Sequence, residues 1–191
     1  MNIRKTLCGI PKMKLYKPFK HIRVEYENYG VDGFYINFGN EYRNPHFLDI
    51  KKALDIVIDN WKFKVGTSLD LCAGGGEITS IIGCSEGCDP YTFDLYEKNT
   101  GKNCLRYSFD DIFNGRLNDE YDTIICSYAL HLADKTKLPQ IIYQLSCVCK
   151  HLLIISPTKK PEIDESWGFK IINEAYISGV RVRLFESSTS T

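Results

Sequence analysis

Three consecutive glycines, Gly74 to Gly76, sit between the apolar run "SLDLCA" and the stretch "EITSII". A short apolar run closed by glycine reads as a buried strand, and the residues after it as a helix of about two turns. Few folds need so much bare backbone at a strand-to-helix junction. Either a ligand approaches there, a phosphate or a nucleoside, or the glycines only form a tight turn. The phosphate-loop pattern G-x-x-x-x-G-K-[ST] is absent. The dinucleotide fingerprint G-x-G-x-x-G finds Gly74 and Gly76 but meets Thr79 at its third position, which counts against a nucleotide-binding oxidoreductase.

The rest of the chain alternates in the same way. Upstream, Asn44 and Pro45 announce a helix as cap and first turn, and Phe47, Ile50, Leu54, Val57, Ile58 and Trp61 continue it at helical spacing. Residues 31–44 are aromatic and turn-rich, with no clear period. Downstream come a weak strand at "SEGCDP", a helix at "YTFDLYEKNTG" and a strand with its exit loop at "NCLRYSFDDI". "YDTIICSYALHL" is the strongest strand signal. A helix marked by Leu138, Ile141, Ile142, Leu145 and Val148 follows it, and "HLLIISP" is a buried strand halted by Pro157. Val180, Val182 and Leu184 alternate with Arg181 and Arg183, so the C-terminal segments "GFKIINEAY" and "VRVRLFES" form a hairpin. Strand–helix alternation over 68–156 specifies an α/β fold, a mostly parallel sheet with helices on both faces and a C-terminal antiparallel hairpin. In such folds ligands bind at the carboxyl ends of strands. Those ends hold the glycines, Asp89, "FDDI" and "SYALHL".

At 191 residues the chain fits one domain with a sizeable core. No apolar run approaches the length of a membrane helix, and no signal-peptide pattern opens the chain, so a soluble cytoplasmic protein is expected. The eight cysteines then read as reduced thiols. Cys84 and Cys88 have a zinc-compatible spacing, but no histidine completes the set, and no metal is expected. Net charge is zero yet uneven: residues 1–24 carry seven Lys or Arg and no acid. A basic arm over 1–30 is either an RNA-steering element or a solvated extension folding back on an acidic body. The domain proper is expected over 31–187 and a disordered tail over 188–191.

Four segments together resemble class I S-adenosylmethionine-dependent methyltransferases. "DLCAGGG" resembles their first motif, acidic-x-G-x-G-x-G, with Asp70, Gly74 and Gly76 in place and Cys72 standing where the first glycine belongs. "GCDP" resembles the second, an acidic residue ending the second strand. "FDDI" resembles the third, and "YDTIICSYALHL" the fourth. The order agrees over 68–156, and with "YRNPH" upstream and "SPTKKPEI" after the fifth strand the whole chain is similar to a group of small uncharacterised methyltransferase-like proteins.

The resemblance implies a single-domain Rossmann-like methyltransferase fold with a seven-stranded sheet and S-adenosyl-L-methionine as cofactor. It assigns Asp70, Cys72, Ala73, Gly74 and Gly76 to the glycine loop. Asp89 and Pro90 fall at the ribose, Asp111 and Ile112 at the adenine, and Ser127 beside the methyl group. Asp94, five residues after Asp89, is a rival on a solvated helical face. For catalysis His131 stands as a general base and Tyr128 as a cavity wall, each with a purely structural alternative. Arg43 is a candidate for the cofactor carboxylate, and Asn44 or His46 for the acceptor. Lys159 and Lys160 either attract an anionic substrate or are plain loop lysines. The absence of N-P-P-Y or D-P-P-Y after the fourth strand disfavours planar exocyclic nitrogens as targets. A small molecule, a protein side chain and an RNA position remain open, as does a catalytically silent cofactor-binding subunit.

Overall fold

The computed structural model describes residues 22–39 and 44–189. Seven strands form one sheet in the order β3-β2-β1-β4-β5-β7-β6. Strands β1 (Ser68–Leu71), β2 (Glu86–Cys88), β3 (Cys104–Leu105), β4 (Tyr121–Ser127) and β5 (Cys149–Ser156) run parallel. The last two, β6 (Phe169–Ile177) and β7 (Val180–Ser187), form a hairpin, and β7 inserts antiparallel beside β5. Ser178 and Gly179 turn the hairpin with φ of 51° and 82°, the left-handed pair that matches strand twist. β5 stops at Ser156 because Pro157 has no N–H to donate.

Alternate residues of the central strands feed two cores. Leu69, Leu71, Ile124, Cys126, Leu152 and Ile154 pack on one face beneath α5 (Phe109–Phe113) and α6 (Leu138–Val148). Ile125, Leu153, Ile155, Val182 and Leu184 pack on the other against α2 (Phe47–Trp61) and α3 (Glu77–Ile82). Burial on both faces explains why β1, β4 and β5 read as apolar runs. Cys84 lies in the second core and Cys88 in the first, so the sheet separates the two thiols whose spacing suggested zinc. Among the described residues no cluster of His, Cys, Asp or Glu is arranged to hold a metal ion.

Three expectations need correction. The segment read as turn-rich is largely helical: α1 spans Ile22–Phe38, interrupted at Gly30 (φ 70°, ψ 169°). Its aromatic residues are spread around the helix, and so it shows no period. Secondly, α2 starts at Phe47, with His46 and not Asn44 at the cap position. Asn44 Oδ1 accepts from the His46 N–H at 2.9 Å, a local turn that delays the helix by two residues. Thirdly, Ser188 and Thr189 of the expected tail are tied down: Ser188 N–H donates to Gly168 O and the Thr189 hydroxyl to Ser146 O. The basic arm up to residue 21 lies outside the described residues. No helix among those described is long and apolar enough to cross a membrane.

Candidate active site

The strand order reverses between β1 and β4, and at their carboxyl ends lies a cavity of about 810 Å³. Its floor comes from the loops after β1, β2, β3 and β4, its roof from α1, and its side wall from the segment entering α2. Ten of the residues read from the sequence line it together: Asp70, Cys72, Ala73, Gly74, Asp89, Pro90, Ile112, Ser127, Tyr128 and His131. Gly76 and Asp111 do not.

Asp70 is 1% exposed and turns toward α3. Its Oδ2 accepts from the Thr79 N–H at 3.1 Å and the Thr79 hydroxyl at 2.8 Å. Burial, with weaker repulsion from Glu77 and Asp89, pushes its carboxyl up to about 8 despite the two bonds from Thr79. At neutral pH Asp70 is therefore mostly protonated, a buried strut between β1 and α3. The Thr79 that spoils the dinucleotide fingerprint is thus part of the framework, and its hydroxyl also meets Tyr96 Oη at 2.9 Å.

Tyr96 explains two of the glycines. It is fully buried in α4 (Phe93–Thr100), beneath the loop. A Cβ on Gly87 would lie 2.6–2.8 Å from its ring carbons. A Cβ on Gly76, where φ is 89°, would lie 2.5 Å from Thr100 Cγ2 and 3.3 Å from the Tyr96 ring. Gly76 is bare so that α4 can pack there. Gly74 differs: a Cβ would approach only Glu77 Oε2, at 3.4 Å, and the residue faces the cavity.

Asp89 is 7% exposed at the end of β2 and fastens the loops around it. Its Oδ2 accepts from Gly74 N–H at 3.1 Å, and its Oδ1 from the Tyr91 and Thr92 N–H groups, both at 2.9 Å. A carboxylate offers about four acceptor positions, so roughly one remains for a ligand. Asp94 sits exposed in the first turn of α4.

Asp111 is placed elsewhere than expected. Its carboxylate accepts from the Ser108 N–H and hydroxyl at 2.9 and 2.8 Å, closing a capping box on α5, and pairs with Arg116 at 2.7 Å. Those bonds, from the Ser108 backbone first, hold its carboxyl below the usual range. Ser108, Phe109 and Asp110 reach the cavity instead. The pattern S-x-x-D is a helix-start signature, and it was available in the sequence.

Ser127 Oγ, at the end of β4, is buried and lacks a hydrogen-bond partner. Tyr128 follows with φ of 55°, a conformation costly for an aromatic residue and characteristic of functional turns. Its ring stacks on His46 (centroids 5.3 Å apart, planes at 23°). Burial first, and then the Asp49 carboxylate, raise its phenol pKa, so Tyr128 stays protonated. His131 lies exposed at the cavity edge in the 3₁₀ turn Leu130–Leu132. Cys72, at φ 58°, meets Cys126, and that contact together with burial keeps its thiol protonated.

These features can be set beside known proteins. No family model matches the chain. An uncharacterized protein of Schizosaccharomyces pombe is 30% identical over 197 residues, covering 77% of this chain and 80% of its own length. The two chains belong to one family. Among solved structures, magnesium protoporphyrin IX methyltransferase (ChlM) from Synechocystis, with bound SAH, superposes with a TM-score of 0.59 at 12% identity, over 87% of this chain and 99% of that one. N-methyltransferase NodS from Bradyrhizobium japonicum, in complex with S-adenosyl-L-homocysteine, gives 0.59 at 14% identity, over 87% and 97%. The fold of this family is therefore that of the class I methyltransferases.

Within that fold the family member described here roofs its cavity with α1, a contribution that motif reading missed. Tyr26, Asp32 and Tyr35 face the cavity. The Tyr91 hydroxyl donates to Asp32 at 2.6 Å, and the Tyr91 ring stacks on Tyr35 (6.1 Å, 11°). Nothing in "YENYGVDGFYINF" marks these residues as site-forming. Asn44 and His46 both line the cavity, Arg43 lies outside the described residues, and Lys159 and Lys160 are exposed loop residues away from the lining.

Proposed function

We propose that this chain is an S-adenosylmethionine-dependent methyltransferase, with the methyl donor at the ends of β1, β2 and β3 and the acceptor entering beside Tyr128 and His131. The observation that carries this reading is Gly74. With Gly75 it lines the cavity, a Cβ on it would approach only Glu77 Oε2, and its N–H is bonded to Asp89 across the ends of β1 and β2. The ChlM and NodS structures, which hold S-adenosylhomocysteine, support the same donor.

The residues present fit such a donor. Asp89 keeps an acceptor position for a ribose hydroxyl, Phe109 and Ile112 offer an apolar wall for the adenine, and Ser127 Oγ is a buried polar atom awaiting a partner. The donor supplies an activated methyl group on a sulfonium. What the chain itself does is to bind, orient and exclude water. Tyr128, held protonated, orients the acceptor by hydrogen bonding. His131, at the cavity edge, receives a proton where the acceptor must lose one.

Isothermal titration of S-adenosylhomocysteine into the full chain tests the donor site. One saturable site is expected, and no heat at millimolar ligand overturns the reading. Labelling a cell extract with radioactive methyl donor, before and after nuclease or protease, then assigns the acceptor to a small molecule, RNA or protein.

A further inference from the structure

The cavity is more negative than a methyl donor requires. Six acids line it: Asp32, Asp70, Glu77, Asp89, Asp110 and Asp134. No Lys or Arg among the described residues does, although the whole chain carries 24 basic and 24 acidic residues. Of the six, Asp110 is ion-paired to Lys137 at 2.8 Å, and Asp134 also feels the charge of that lysine; Asp32, Asp70, Glu77 and Asp89 form no ion pair among the described residues. Asp70 is neutralised by its own proton near pH 7. Three carboxylates then remain: Asp32, Glu77 and Asp89. S-adenosylmethionine, with a sulfonium, an ammonium and a carboxylate, brings a net charge of only plus one.

The walls add to this. His46 and Tyr128 stack at 5.3 Å, Tyr35 and Tyr91 at 6.1 Å, and Tyr26 completes the roof, its Oη 2.9 Å from that of Tyr35. Aromatic faces carry negative potential and attract organic cations. Ser127 Oγ, buried without a partner in the same wall, marks room for one more polar ligand group. A phosphate-bearing acceptor would enter against all of these charges, whereas a protonated amine is matched by them.

Resting on the methyltransferase reading above, we infer that the acceptor is a basic amine, bound as its ammonium between the aromatic walls and the unpaired carboxylates, and methylated on nitrogen. The ammonium first loses one proton to His131 or to water. The nitrogen lone pair then forms the new N–C bond as the S–C bond breaks. The electron pair of that bond stays on sulfur, which becomes a neutral thioether, and the product leaves as a methylated ammonium.

The test uses the full chain saturated with S-adenosylhomocysteine. Saturation by itself checks the donor site, and its failure would count against the methyltransferase reading and not against the charge of the acceptor. Into that complex are titrated tyramine, benzylamine and spermidine, together with N-acetyltyramine, which keeps the ring but loses the charge, and a short single-stranded RNA. At least one amine is expected to bind, and tyramine at least about tenfold more tightly than its acetylated form. The variant Asp32→Asn should weaken amine binding severalfold while S-adenosylhomocysteine affinity holds. Equal binding of tyramine and N-acetyltyramine, tighter binding of the RNA, or no amine binding at millimolar concentration overturns the inference.

Discussion

Replacing Asp70 with Asn should remove a pH dependence from the stability of the whole fold. The carboxyl is raised from an ordinary 3.8 to about 8 by burial. Between those values the folded chain holds a proton that the unfolded chain has released. For a raised carboxyl the contribution to stability is greatest below 3.8, declines as pH rises, and is exhausted above 8. The slope inside the window approaches about 1.4 kcal/mol per pH unit. From pH 6 to pH 8, allowing for half-titration at the upper end, the wild type should lose about 2 kcal/mol through this one group. At this chain length that is roughly 4–8 °C in Tm. Asn presents one oxygen to the Thr79 N–H and hydroxyl, as Asp70 Oδ2 does, and its amide cannot ionise. Calorimetric melts of both proteins at the two pH values give the difference of differences, which cancels every other titrating group. An equal change in Tm for wild type and Asp70→Asn would mean that Asp70 is ionised in the fold, and the neutral strut would be refuted.

Asp89→Ala frees the N–H groups of Gly74, Tyr91 and Thr92 at once, so S-adenosylhomocysteine should bind about ten- to a hundredfold more weakly, while Asp94→Ala should change it little. Calorimetric dissociation constants with circular dichroism on both variants decide this, and a damaging Asp94→Ala beside a silent Asp89→Ala would overturn the assignment. Asp111→Ala should cost about 1 kcal/mol of stability through the lost capping box and leave that affinity within about twofold. A large affinity loss without a change in Tm would return Asp111 to the ligand site.

Much of this fold is visible in the residues because it rests on strong local signals. β1, β4 and β5 are buried on both faces, and the glycines and Pro157 end two of them sharply. β2 and β3, with three and two residues, are too short for any period to register, and only their neighbours fix them. Asp89 lines the cavity, and Pro90 is the sequence signal that leaves it at a strand end. Asp111 caps α5 and does not line the cavity: an acidic residue before an apolar one serves an adenine site and a helix cap equally well. Only the Ser108 three residues earlier separates the two. α1 escaped notice for a different reason: its aromatic residues serve the cavity roof and their own cluster (Tyr26, Phe34 and Tyr35 among them) rather than one stripe against the sheet.

The wedge of Tyr96 beneath the glycine loop bears on how relatives of this chain can diverge. The Gly87 backbone lies against the Tyr96 ring closely enough that any side chain at position 87 would overlap it. Neither residue can then drift alone. A homologue with alanine or anything larger at position 87 is expected to carry a residue smaller than tyrosine at 96, and one that loses the Tyr96 ring would also leave the Thr79 hydroxyl with Asp70 alone as partner. Positions 79, 87 and 96 should therefore change together across the family, while Gly74, bounded by the cavity rather than by the ring, should follow the ligand instead.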